Sequence, residues 1–267
     1  FPVEWGGNYI ASLVQVNDVS KSIYVLTRPW DPSPWSPRFW LYRSADLGKT
    51  FTRIYVFGFG DDGAVSLNIP VNANQLYMYD SKSTAGKGTM YSIDGDIVTK
   101  INTSGNIPGT GSCILKGYSD GTGLTQYVLR NNVDVYKTAN QGAGWTKTGS
   151  LPESSWDRFE ISNTNPGHLF AGGVDGYRST NGGWVWNKIN EWWEYYGNEA
   201  TKLHADIMDI AFYKKQNGQS FMIITNHGGC YISYDDALTT TNISLSGLNT
   251  GQFYDVLSDQ DNTNNIY

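Results

Sequence analysis

Three observations in the sequence predict an all-β fold, a β-propeller built of four-stranded antiparallel blades. The first is composition: 30 Gly, 10 Trp, 18 Tyr and 10 Phe stand beside only 16% charged residues in 267. Globular chains usually carry ~25% charge, and the substitution of turn formers and aromatics for it marks short strands joined by many turns. The second is a repeated turn. The third is its spacing, which matches the length of one blade.

The repeat first reads Tyr42-Arg43-Ser44-Ala45-Asp46-Leu47-Gly48. It returns as Tyr136-Lys137-Thr138-Ala139-Asn140-Gln141-Gly142, as Tyr177-Arg178-Ser179-Thr180-Asn181-Gly182-Gly183 and as Tyr231-Ile232-Ser233-Tyr234-Asp235-Asp236-Ala237. A degenerate copy is Tyr91-Ser92-Ile93-Asp94-Gly95. The hydroxyl residues stand at 44, 92, 138, 179 and 233, a spacing of the ~40–50 residues that one blade needs. In each copy an aromatic and a hydroxyl residue end a strand. Asp or Asn then turns the chain by bonding its own backbone, and Gly takes the positive φ. A later aromatic packs as the next strand starts.

The remaining strands fall around these turns. Blade one takes residues 9–16, 23–28, 39–44 and 51–57, and blade two 64–69, 75–79, 89–93 and 96–101. Blade three takes 112–118, 124–129, 133–138 and 145–148; blade four takes 156–161, 168–171, 176–179 and 186–190. Blade five takes 207–212, 221–225, 230–233 and 243–245, while a sixth opens at 253–257 and reaches its second strand at 265–267. A short helical turn fits only within 191–203. Half a blade would leave open sheet edges. Residues 1–267 are therefore expected to form a single propeller domain of about five and a half blades, the N-terminal part of a larger propeller whose ring is incomplete in this chain.

The pattern Ser-x-Asp-x-Gly-x-Thr-Trp/Phe resembles the Asp-box (BNR) repeat of sialidases, sortilin-type receptors and xyloglucan-degrading propellers. On that resemblance Ser44, Asp46, Gly48, Thr138, Asn140, Gly142, Ser179, Asn181, Gly183, Ser233 and Asp235 are structural turn residues. The repeat serves enzymes and binding proteins alike, so it implies the architecture and leaves the function to the site.

Several function classes fall away. A net charge of −6 with no basic stripe removes the electrostatic term on which nucleic-acid binding rests. No apolar run approaches the ~20 residues of a spanning helix, so no membrane insertion is expected. There is no G-x-S-x-G elbow and no P-loop. The chain opens at Phe1 without Met or a leader, as after signal-peptide removal or in a fragment. With its low Lys and high Trp, Tyr and Asn content, this suggests an extracellular or cell-surface setting. Cys113 and Cys230 permit one bridge or two thiols.

Strand alternation puts the turns between strands three and four on one face of a propeller. The loops between strands two and three, and the crossovers between blades, share the opposite face. That face gathers Arg28, Trp30, Trp35, Trp192, Trp193, Tyr195, Tyr196, His204 and His227 as candidate ligand-binding residues. Exposed Trp and Tyr are surfaces on which sugar rings and partner side chains stack; the same residues also suit packing against one another. Glycosidic hydrolysis needs two carboxyl groups ~5–9.5 Å apart, and Asp31, Asp61, Asp62, Glu194, Glu199 and Asp206 lie on this face. With seven Arg in the chain, of which Arg28, Arg38 and Arg130 fall near the face, the arginine triad that sialidases carry is not evident. The Arg-Thr-Asp-x-Gly-Gly stretch of xyloglucan-degrading propellers is missing.

His204-Ala205-Asp206-Ile207-Met208-Asp209 followed by Asn226-His227-Gly228-Gly229 is similar to a segment of large secreted bacterial Asp-box propellers, with His227 in place of their Asp. His204, Asp206, Asp209 and His227 suit either a metal, Ca²⁺ or a transition ion, held by the two His and one or two of the Asp, or hydrogen bonds that tie blades; no other cofactor is implied. The expected function is a secreted or cell-surface propeller, non-catalytic in this chain. It binds a polysaccharide or glycan, or a protein partner that completes the propeller edge, through its aromatic-rich face. The alternatives are a glycoside hydrolase with part of its site in further blades, and a structural subunit of a cell-surface or secretion assembly.

Overall fold

The computed structural model describes residues 9–17, 20–29, 39–57, 64–81, 88–102, 107 and 111–245. Within them, twenty strands form five four-stranded antiparallel sheets, each built of consecutive strands. Blade one comprises β1 (Tyr9–Asn17), β2 (Ser22–Pro29), β3 (Trp40–Ser44) and β4 (Thr52–Val56). Blade two comprises β5 (Val65–Asn68), β6 (Leu76–Asp80), β7 (Thr89–Asp94) and β8 (Ile97–Asn102). Blade three holds β9 (Cys113–Ser119), β10 (Leu124–Arg130), β11 (Asp134–Thr138) and β12 (Thr146–Ser150). Blade four holds β13 (Arg158–Ile161), β14 (Leu169–Gly172), β15 (Gly176–Ser179) and β16 (Asn187–Lys188). Blade five holds β17 (Asp209–Lys214), β18 (Ser220–Asn226), β19 (Gly229–Ser233) and β20 (Thr241–Asn242). The first strand of each blade is innermost, with β1, β5, β9, β13 and β17 adjoining one another in that order. This is a β-propeller, as the sequence predicts.

The blades are held face to face. In β6 and β14 every residue is buried, because alternate side chains enter two different cores. Met78 packs on Leu26 and Leu41 of blade one, whereas Tyr77 and Tyr79 pack on Leu115, Val128 and Trp145 of blade three. Leu169 and Ala171 likewise join Tyr127 and Leu129, while Phe170 joins Met222, Ile224 and Tyr231 of blade five. Burying one such Leu or Phe side chain contributes roughly 1.5–3 kcal/mol.

Two expectations need correction. Residues 243–245 form a short 3-10 turn rather than a strand. Asn242 ends the blade there, because its Nδ2 donates to the carbonyls of Glu199 and Gly228 while its Oδ1 accepts the Ser244 amide. The degenerate repeat at Ser92 folds as a two-residue hairpin, with Asp94 paired to Ile97 and Gly95 at φ +58°. The helical turn expected in 191–203 is one 3-10 turn, Trp192–Tyr195. The strands expected at 253–257 and 265–267 lie outside the described residues. Cys113 and Cys230 are free thiols, and burial pushes the Cys113 thiol up to about 12.

The four full repeats share one hydrogen-bond scheme. The hydroxyl of the first residue donates to the Asp or Asn two residues on: Ser44 to Asp46 (2.7 Å), Thr138 to Asn140 (2.7 Å), Ser179 to Asn181 (3.0 Å) and Ser233 to Asp235 (2.9 Å). The same oxygen accepts the amide four residues on, from Gly48, Gly142, Gly183 or Ala237. The Asp or Asn oxygen accepts an amide from two residues further, as Thr50 and Thr239 give at 2.9 Å. Two successive residues then take the left-handed conformation, Leu47 and Gly48 (φ +62° and +88°) in blade one. Ala237 accepts it at φ +60° without being Gly.

Replacing Ser179, fully buried, with Ala leaves the Gly183 amide unpaired. We expect a loss of about 2 kcal/mol in urea unfolding. Acid acts on the Asp turns alone. Hydrogen bonds from Thr50 and then Ser44 hold the Asp46 carboxyl well below its ordinary range. Burial raises that of Asp235, but the amide and hydroxyl of Thr239 outweigh it and the net shift is down. Depressed folded values mean that the unfolded chain binds these protons more readily. The stabilisation is therefore complete above about pH 4 and is lost as pH falls through the folded values. The double variant Asp46→Asn/Asp235→Asn copies the turns of blades three and four, and is expected to unfold less steeply with acid below pH ~4. An unchanged acid transition counts against this account.

Candidate functional site

The crossover from β16 to β17 is the longest among the described residues, and its base is closed by one side chain. Asn190 Nδ2 donates to the carbonyls of Glu191 (2.8 Å) and Leu203 (2.9 Å), and its Oδ1 accepts the Leu203 amide (3.0 Å). The 3-10 turn is pinned to the β14–β15 loop by Asp175, whose carboxylate accepts the Trp192 amide at 3.1 Å. Asp175 is buried and also pairs with Lys188 at 2.8 Å. Lys188 meets Glu191 at 2.6 Å, and these two partners, Asp175 first, hold its ammonium above the ordinary lysine range. The far side of the crossover is bound to blade five, where the carbonyls of Thr201 and Ala200 accept from Thr240 Oγ1 and the Asn242 amide.

On this frame stands a continuous aromatic ridge. Trp193 meets Trp192 edge to face at 5.8 Å between centroids, and Trp192 meets Tyr196 at 6.3 Å. His204 lies between Tyr195 (4.7 Å, 87°) and Tyr196 (5.6 Å, 79°), and His227 follows at 6.5 Å. Trp193 and Tyr196 are 55% and 62% exposed, Trp192 37%. Edge-to-face contacts fix the rings and cover a face of only one ring in each pair. The ridge needs Gly228, since a Cβ there would lie 2.7 Å from both the His204 Cβ and the Tyr195 ring. The sequence-predicted residues Trp192, Trp193, Tyr195, Tyr196, His204 and His227 are thus brought together. The two readings of these aromatics, packing and exposure, are both realised.

The metal set does not assemble. His227 Nδ1 pairs with Asp206 at 2.8 Å, while His204 Nε2 meets the Tyr196 hydroxyl at 3.2 Å. Among the described residues no group of three or more His, Cys, Asp or Glu is placed to hold a metal ion. The carboxylates proposed for catalysis fare differently. Glu194 is paired with Lys202 at 2.7 Å, and that bond keeps its carboxyl below the ordinary range. The Gly197 amide does the same for Glu199. Both remain ionised at neutral pH and are poorly suited to donate a proton. Asp206 belongs to His227. Trp30, Asp31, Trp35, Arg38, Asp61 and Asp62 lie outside the described residues. Arg130 does not reach the surface: it is buried, and its Nη1 donates to the carbonyls of Gly111 and Ser112 at 2.7 Å each.

The sequence reading missed a second feature of this face. Where the inner strands begin, a cavity of about 460 Å³ opens at the propeller axis, lined by Arg28, Lys116, Asp157, Arg158, Glu160 and Asp209 among others. Lys116 and Glu160 join across blades three and four at 2.5 Å. Arg158 donates through Nε to the Met208 carbonyl. Asp157 has φ +59°. The ridge crossover ends at Asp209, so ridge and channel mouth are contiguous along the chain. The available signal was a charged residue opening each of β13 and β17, Arg158 and Asp209. Of the residues singled out from the sequence, Arg28 and Asp209 belong to this mouth.

No protein-family profile and no curated protein matches the chain. Solved structures do, as folds. A GH74 enzyme from Niastella koreensis superposes with a TM-score of 0.53 at 15% identity, over 88% of this chain and 37% of that one. YCF48 bound to a D1 peptide gives 0.54 at 15% identity, over 94% and 74%. The α-L-arabinofuranosidase Arb93A from Fusarium graminearum, in complex with an iminosugar inhibitor, gives 0.52 at 10%, over 97% and 86%. At these identities the likeness concerns the fold alone. This chain spans about a third of the Niastella enzyme and three quarters of YCF48.

Proposed function

We propose that this chain is the glycan-binding part of a larger Asp-box propeller, secreted or displayed at a bacterial cell surface, and that the ridge is its binding surface. One observation carries the reading: an aromatic ridge, exposed at Trp193 and Tyr196, is held on a crossover closed at its base by Asn190 and pinned by Asp175. Aromatic faces fixed in advance cost a ligand little ordering, and the C–H faces of neutral sugar rings suit them. Lys188, 6.0 Å from the Trp193 ring centroid, is already paired with Asp175 and Glu191. Glycan-processing enzymes and a peptide-bound protein among the fold neighbours are compatible with this surface being used for either ligand class.

A larger propeller is supported by blade five. Ile210, Ile224 and Tyr231 are buried against blade four, whereas Ala211, Ile223 and Ile232, paired in one row on the opposite side of the sheet, are only half-buried. Such a row is suited to a following blade.

The channel mouth supports a second reading, glycoside hydrolysis, because Asp157, Glu160 and Asp209 share one cavity. A single experiment weighs both. A glycan array on the protein, followed by a reducing-end assay on every glycan that binds, is expected to give binding without turnover. Trp193→Ala is expected to weaken it about tenfold. Gly228→Ala, which displaces Tyr195 and His204 without removing an aromatic, is expected to weaken it as well. Turnover abolished by Asp209→Asn would favour the hydrolase. Binding untouched by both ridge variants would reject the ridge as the glycan surface.

A further inference from the structure

The face opposite the ridge carries a Trp that the fold does not require. In the repeat, the aromatic that packs stands seven residues after the hydroxyl: Phe51, Trp145 and Trp186. Trp145 is buried in the core between blades two and three. Trp184 stands two positions earlier, where the other full repeats have Lys49, Ala143 and Leu238, and it is 61% exposed. A large aromatic at a variable turn position, held out in solvent, adds nothing to the turn chemistry described above.

Its backbone is rigid. Gly183 just before it donates to Ser179 Oγ at 2.9 Å, and Val185 just after it donates to Asn181 Oδ1 at 2.9 Å. The turn is also locked against blade three. A Cβ on Gly149 of β12 would lie 2.3 Å from the Gly183 carbonyl oxygen, and a Cβ on Gly183 would lie 2.8 Å from Thr148 Oγ1. Two glycines on facing blades thus permit the close approach that fixes Trp184 beside β12.

Trp184 forms one wall of a cleft of about 740 Å³, whose other lining includes Lys137, Asn140, Trp145, Thr146 and Thr148. Among its described lining residues the cleft therefore offers the exposed Trp184 indole beside the buried Trp145, side-chain hydroxyls and an amide, and a single charged side chain. That charge is Lys137, whose Nζ lies 5.8 Å from the Tyr127 ring centroid, and no carboxylate lines the cleft among the described residues. In a chain of net charge −6, a polar cleft whose one charge is positive is selective for an anion.

We infer that the cleft between blades three and four is a second, independent binding site, on the face opposite the ridge, for an acidic saccharide. A sugar ring stacks on Trp184 and its carboxylate meets Lys137. The ligand class is set by this combination: stacking alone admits any sugar, and the ammonium in a carboxylate-free cleft selects a hexuronate.

Isothermal titration of the intact protein with oligogalacturonates, and with cello-oligosaccharides of the same length, tests this. Oligogalacturonate is expected to bind at least tenfold more tightly than its neutral counterpart. Trp184→Ala is expected to weaken it about tenfold. Lys137→Gln is expected to bring its affinity to that of the neutral ligand. Both side chains are on the surface, and thermal unfolding verifies that each variant folds. Trp193→Ala is expected to leave oligogalacturonate binding unchanged, which separates this site from the ridge. The inference is overturned if the intact protein does not bind oligogalacturonate, if Trp184→Ala binds it as the parent does, or if Trp193→Ala abolishes the binding.

Discussion

The structure depends on one constraint: the sheets of the middle blades must bury both of their faces. In β6, β10 and β14 consecutive side chains belong to different cores, Tyr127 and Leu129 to one and Val128 to the other. A strand with two buried faces has no polar side on which a slipped register would be tolerated. The register is therefore set by packing and not by the connecting loops, and loops of very different length are tolerated at the channel end. The long β16–β17 crossover is possible for this reason.

The turns add a second, directional constraint. Each full repeat saturates its own backbone donors through one hydroxyl and one carboxyl or amide group, so its shape is independent of what lies around it. Asp46 and Asp235 perform this with a carboxylate and Asn140 and Asn181 with an amide. The geometry requires only the oxygen acceptor. With four such turns fixed at one end, chemical variation falls to positions the hydrogen bonds do not use. Lys49, Ala143, Trp184 and Leu238 occupy one of these positions, and their diversity shows how little the turn asks of it.

The strands and the repeat were legible because their signals are local: a hydroxyl, an acid or amide two residues on, and a positive-φ residue after that. Trp192, Trp193, Tyr195 and Tyr196 were legible because a run of aromatics in a long crossover has no strand periodicity to explain it. The channel mouth was not. Lys116, Asp157, Arg158, Glu160 and Asp209 come from three blades; the first four read in isolation as ordinary strand or turn residues, and Asp209 reads as a partner of His204 and Asp206. Only closure of the sheets around an axis brings them together. His204 and His227 show the opposite failure. Adjacent in space as their spacing suggests, they are turned to Tyr196 and Asp206 and not to a common point. Residue type near residue type does not specify orientation.

Charge separates the two aromatic surfaces. At the ridge, Lys188 has its positive charge matched by Asp175 and Glu191 within 2.8 Å, and Lys202 is matched by Glu194. Both ammonium groups beside the ridge are therefore paired, and the surplus charge there, two carboxylates on Lys188 with Glu199 besides, is negative. An anionic ligand gains nothing there and loses hydration. At the cleft of blades three and four the exposed indole stands with Lys137 and, among the described residues, without a carboxylate. The same side-chain chemistry, an exposed Trp on a locked turn, is thus set in two electrostatic environments by which neighbours are acidic. Asp175, buried and shared between Lys188 and the Trp192 amide, both shapes the ridge and offsets the Lys188 ammonium. The cleft has no such residue, and its selectivity follows from that difference.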